Sequence, residues 1–164
     1  MPGPVTRIGI TGHREIPEAA FSAVRAGIRA ELRDRPAPST RVLSSLAAGA
    51  DQLFAEIALE SGIPLTAVIP GMDYENHLGG DEVRAAYRRL LKCCAARVEL
   101  PQERTHDEAY HAAGRYIVDH ADRMIAVWDG APARGLGGTA DIVDYAHLTG
   151  VPVTVLWSPG VRRA

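Results

Sequence analysis

Six short strand-like runs recur along the chain, all apolar except the mixed one at 97–100, and each of the first five is followed by a segment with the marks of a helix. The runs lie at residues 7–11, 41–45, 65–69, 97–100, 123–128 and 151–157. Runs of this length and character suit strands buried on both faces, as in a parallel sheet. Phe21, Val24, Ile28 and Leu32 mark the first helix, and Leu53, Phe54 and Ile57 face inward on a second that starts near Asp51. Val83, Tyr87, Leu90 and Leu91 place a third over about 81–94; a fourth is expected over about 105–120 and a fifth from near Thr139. Strand and helix alternate without a hairpin signal. The sequence therefore predicts an α/β chain, a three-layer Rossmann-like fold with a mainly parallel central sheet covered by helices on both faces. Run 123–128 is expected near the centre of that sheet. Run 151–157 is expected at an edge, because Pro152 has no N–H to give to a ladder.

The 164 residues, 46% of them hydrophobic, suffice for one core and are too few for two ordinary domains, so a single domain over 1–164 is expected. Lys plus Arg number 18 against 20 for Asp plus Glu, a net charge of −2 that argues against a nucleic-acid partner. No stretch approaches the roughly 20 apolar residues of a membrane span, and the opening residues do not follow a signal-peptide pattern, so a cytoplasmic protein without a membrane partner is expected. Cys93 and Cys94 are adjacent, which suits neither an ordinary disulfide nor a metal pair and fits a reducing compartment. The histidines show no metal-binding spacing, so no metal is expected, and no motif requires a cofactor.

In a parallel α/β sheet, ligands sit outside the carboxyl ends of the strands, where the strand order reverses, which directs attention to the strand-to-helix loops. Three of these carry glycine: Thr11-Gly12-His13-Arg14 after the first strand, the stretch from Ser44 and Ser45 through Gly49 to Asp51 after the second, and the stretch from Asp129 through Gly137, Gly138 and Thr139 after the fifth. Glycine lets a ligand approach the backbone, and the helix that follows offers unpaired N–H groups and a positive dipole end, a combination that suits phosphate. Gly137-Gly138-Thr139 is the best anion site of the three, although Gly-Gly-Thr also makes a plain turn and N-cap. Neither the dinucleotide G-x-G-x-x-G fingerprint nor a Walker loop occurs, and there is no G-x-S-x-G elbow.

Single residues in these loops have two readings each. Arg14 could pair with phosphate or stack on a base, or bond a helix carboxylate at the surface. His13 could bond a ligand or be solvated, and Asp51 could bind ribose or cap its helix. Asp129 follows a strand expected to be buried, a position where carboxylates often serve ligands. Asp141, in the first turn of the last helix, could act as a base or complement the helix dipole. The loop from Pro70 to Gly80 is long and polar enough to serve as a lid.

Taken together, Ile10-Thr11-Gly12-His13-Arg14, the stretch from Ala48 to Glu56, and Ala126-Val127-Trp128-Asp129-Gly130 followed by Gly137-Gly138-Thr139-Ala140-Asp141 resemble the SLOG superfamily. These are Rossmann-like nucleotide-ligand sensors related to the Lonely Guy phosphoribohydrolases, and the chain looks most similar to their small standalone bacterial members. The resemblance covers nearly the whole chain. It implies binding or sensing of a nucleotide or nucleotide-derived phosphorylated ligand, with the phosphate at Gly137, Gly138 and Thr139, and a homodimer as the assembly. Lonely Guy enzymes carry P-G-G-x-G-T-x-E-E. Here Asp141 matches the first Glu as a shorter acid, Ile142 replaces the second, and Leu136 stands where a glycine is expected. Those departures weaken, without removing, the alternative of a nucleoside 5′-monophosphate phosphoribohydrolase with Asp141 as its catalytic acid. A molybdenum-cofactor carrier is a further alternative that the resemblance implies.

Overall fold

The computed structural model describes residues 4–71, 73–101, 105–132 and 138–162. In chain order the elements are β1 (Thr6–Gly12), α1 (Glu18–Leu32), a 3-10 turn (Ala37–Ser39), β2 (Thr40–Ser44), α2 (Ala50–Glu60) and β3 (Leu65–Ile69). A second 3-10 turn (Tyr74–His77) follows, then α3 (Asp81–Cys93), β4 (Ala96–Glu99), α4 (His106–His120), β5 (Arg123–Val127), α5 (Thr139–Leu148) and β6 (Val153–Leu156). All five strand pairings are parallel, in the order β4-β3-β2-β1-β5-β6. The expected α/β sheet is present. Its strands run outward from β1 to β4, and the order then reverses so that β5 pairs with the other side of β1.

Alternation along the strands divides the core in two, because successive side chains leave opposite faces of the sheet. Ile8 and Ile10 of β1, Val42 of β2 and Ile125 of β5 join Val24, Ile28 and Phe54 on the face of α1 and α2. Leu43, Val68 and Met124 point the other way and meet Ile117 of α4 and Ile142 of α5. On that second face α4 lies so close that a Cβ at Gly9 would collide with Ile117 and Met124, and one at Gly114 would collide with Ile142.

The buried stripe of α1 is Ala20, Val24, Ile28 and Leu32, with Phe21 at 41% exposure. The stripe therefore begins one residue before the expected Phe21, since strict i, i+4 spacing selects the small Ala20 over the large neighbour. Thr105 caps α4 by accepting a hydrogen bond from the Glu108 N–H at 3.0 Å, so the helix proper starts at His106. Strand β5 is central and fully covered after its first residue, while β6 is the expected edge strand. Among the described residues no helix is long and apolar enough to cross a membrane.

Candidate functional site

Because the strands are parallel, all their carboxyl ends emerge on one side, and the reversal between β1 and β5 opens the sheet there. Thr11 and Gly12 are the last residues of β1, in register with Ala126 and Val127. His13 then donates its N–H to the Val127 carbonyl at 3.1 Å, and its ring is 4% exposed. Its Nε2 lies 3.1 Å from both the Asp129 Oδ1 and the Asp129 N. According to its protonation, that nitrogen either donates to the carboxylate or accepts from the amide. Trp157 meets the imidazole edge-on at 5.3 Å, and Asp129 Oδ1 also accepts from the Ala131 N–H. Two residues expected to face a ligand are thus bonded to each other, and together they clamp the β1–α1 and β5–α5 loops across the reversal.

The second glycine loop is packed as tightly. The Ala50 N–H donates to the His13 carbonyl at 3.1 Å. A Cβ on Gly12 would sit 2.5 Å from that of Ala50, and one on Gly49 would sit 2.5 Å from the carbonyl oxygens of His13 and Arg14. Gly49 also has φ +76, in the left-handed region. Ser44 is fully buried, its hydroxyl donating to the Asp51 carbonyl and accepting from the Leu46 N–H, and Ser45 is 4% exposed. These groups seat α2 against β1 and β2.

Above this packed floor lies a cluster of ionisable groups. Asp51 sits in the first turn of α2 at 7% exposure and accepts from the Ala47 N–H at 3.4 Å. Burial pushes its carboxyl up to about 7, against the lowering pull of that N–H and of Arg14. Arg14 is exposed and lies over the ring of Tyr110 at 4.4 Å, a cation–π contact. The Tyr110 hydroxyl is 3.0 Å from that of Tyr74. Burial raises both phenols, with Asp51 adding to the effect, so both keep their protons. Arg14 forms no ion pair among the described residues.

Tyr74 is held at 2% exposure, so the 70–80 loop is anchored into the fold at that point. Beside it His77 and His106 stack at 4.2 Å, and His106 meets Tyr110 edge-on at 5.4 Å. A cavity of about 190 Å³ opens between this loop and the start of α4. Tyr74, His77, His106 and Tyr110 are not among the ligand-binding residues expected from the sequence. Their only signal is an aromatic i, i+4 pair, His106 and Tyr110, at the start of a helix that follows a strand.

At the far side of the reversal, α5 begins at Thr139, which is 6% exposed, with Asp141 in its first turn. Gly138 is the N-cap and supplies no side-chain hydrogen bond to the helix. Its φ of −64 is one that any residue adopts. Gly137, the remaining member of the expected phosphate site, lies outside the described residues.

Three solved structures share this fold. DNA processing protein A from Streptococcus pneumoniae matches with a TM-score of 0.64 and 17% identity over 92% of this chain and 50% of its own. DNA processing protein A from Helicobacter pylori matches at 0.67 and 14%, over 93% of this chain and 65% of its own. The chain thus spans half of the first protein and under two thirds of the second. The molybdenum-cofactor carrier protein of Chlamydomonas reinhardtii matches at 0.56 and 17%, over 93% and 76%. The chain carries the Rossmann-like α/β fold of these proteins. At these identities the likeness concerns the fold alone. No family model and no curated protein matches the sequence.

Proposed function

We propose that the protein binds a nucleotide or nucleotide-derived phosphorylated ligand across the carboxyl ends of β1 and β5, with its phosphate at the start of α5. The observation that carries this reading is Arg14. It is a cation held over Tyr110, exposed and without a carboxylate partner among the described residues, on a loop that His13 and Asp129 clamp to the loop leading into α5. The start of α5 adds a helix dipole and N–H groups that no N-cap side chain engages. A guanidinium on one side and a helix start on the other suit a phosphate-bearing ligand, and the Tyr74 and Tyr110 hydroxyls supply neutral hydrogen-bonding groups alongside.

Net charge does not weigh against nucleic acid here. One neighbour of the same fold, the Helicobacter pylori protein, is described for its single-stranded DNA binding mode, so oligonucleotides belong in the ligand panel. The homodimer is likewise part of the proposal, and sedimentation equilibrium tests it directly.

The decisive experiment is native mass spectrometry of the purified protein with analysis of what denaturation releases, repeated on Gly138→Asp. That variant sets a carboxylate where the phosphate is expected. A phosphorylated ligand released from the wild type and missing from the variant supports the reading, and its mass separates a nucleotide from a phosphorylated pterin. Release of free base from added nucleoside monophosphate would extend binding to hydrolysis. If no nucleotide, nucleotide cofactor or oligonucleotide raises the melting temperature and nothing is released, the reading fails.

A further inference from the structure

The cavity between the 70–80 loop and the start of α4 limits what can enter it. Its volume of about 190 Å³ equals the liquid volume of roughly six waters and is below the roughly 300–1,000 Å³ of a pocket for a drug-sized ligand. A planar heterocyclic ring is within that volume. Pro70 and Ala109 give it apolar wall, Tyr74, His77 and His106 give it rings, and Thr105 and Asp73 give it polar edges. The imidazoles of His77 and His106 are already aligned face to face, 21° from parallel, and Asp73 holds His77 through a 3.0 Å contact to its Nε2.

Charge selects among fragments. The first turn of α4 carries two acids, Asp107 and Glu108, against the single Asp141 of α5, so of the two helix starts it is the less suited to an anion. Burial, with His77 and Arg14 adding to it, pushes His106 toward its neutral form. A phosphate is therefore disfavoured here and a flat, uncharged ring is favoured. His106 touches Tyr110, and Tyr110 carries Arg14, so the cavity adjoins the cation assigned to the phosphate-bearing ligand.

We propose that this cavity takes the heterocyclic base of the ligand, extending the His77–His106 stack, while the phosphate lies beyond Arg14 at the start of α5. The inference rests on the phosphate reading of that helix start. Calorimetric titration with adenosine and guanosine 5′-monophosphates and with ribose 5-phosphate, on the wild type, His77→Ala and His77→Phe, separates the two. The expected result is that the wild type binds at least one nucleotide more tightly than ribose 5-phosphate. His77→Ala loses about tenfold in that nucleotide's affinity with ribose 5-phosphate unchanged, and His77→Phe restores it. His77 is 41% exposed, so the fold tolerates both changes. Equal binding of nucleotides and ribose 5-phosphate by the wild type, or an equal loss for both in His77→Ala, overturns the base pocket and leaves the phosphate site standing. Binding of none of the three at millimolar concentration overturns both.

Discussion

The β2–α2 turn and the start of α5 share a design, a glycine ahead of a helix at the carboxyl side of the sheet, and the two glycines differ in backbone conformation. Gly49 has a left-handed φ, and its missing Cβ makes room for the carbonyl oxygens of His13 and Arg14. Gly138 has an ordinary φ and gives its helix no capping side chain. At Gly49 another part of the same chain occupies the space a side chain would need. At Gly138 the φ is ordinary, so the backbone conformation does not demand glycine. A glycine before a helix is therefore ambiguous until the space around it is known.

The largest expected effect tests how costly the packed side is. Asp51 ionises near 3.8 when unfolded and near 7 when folded. Between those values the folded protein holds a proton that the unfolded chain has released, so stability falls as pH rises from about 4 to about 7 and then levels off. Asp51→Asn removes this dependence. The variant should match the wild type near pH 4 and exceed it at pH 8 by up to about 4 kcal/mol, read from urea unfolding at each pH. A variant less stable than the wild type at pH 8 would mean that the ionised carboxylate, through Arg14, holds the packed side together.

Next in size is Gly49→Ala. The added methyl meets two carbonyl oxygens, and the backbone has a φ that alanine resists, so a loss of about 3 kcal/mol is expected in chemical denaturation. Gly138→Asp should by contrast unfold within about 1 kcal/mol of the wild type while losing ligand. Similar losses of stability at both positions would erase the distinction drawn between the two turns.

The sheet was legible from residue pattern alone, because each strand except the mixed edge strand β4 is a short apolar run and each helix has its own period. Even the edge position of β6 followed from Pro152. The site was legible only as a set of loops. Sequence can state that His13 and Asp129 both lie at strand ends, but not that β5 returns beside β1 and brings the two into contact. Tyr110 was invisible for the same reason. Its ring reaches Arg14 and Tyr74 because the start of α4 packs beside the first core cluster, a long-range fact with no local signature. Sequence leaves Asp51 as a ribose ligand or a cap; the burial that decides its protonation belongs to the packed fold.

The smallest expected change in stability is the one that joins the two sides. Arg14 belongs to the packed side by its backbone, since the oxygen of its carbonyl limits Gly49, and to the open side by its guanidinium. Arg14→Gln leaves the first role intact and removes the second. The lost cation–π contact is partly exposed, so about 0.5–1 kcal/mol of stability should go. Without the cation, the carboxyl of Asp51 should titrate higher still, because Arg14 now pulls it down. Phosphate-bearing ligands should weaken by tenfold or more, as expected when a charge-assisted contact is removed. Thermal melts, the pH dependence of unfolding and ligand titration of this one variant read the three effects separately. A large loss of stability with unchanged ligand affinity would return Arg14 to the packed side and leave the start of α5 as the sole anchor for phosphate.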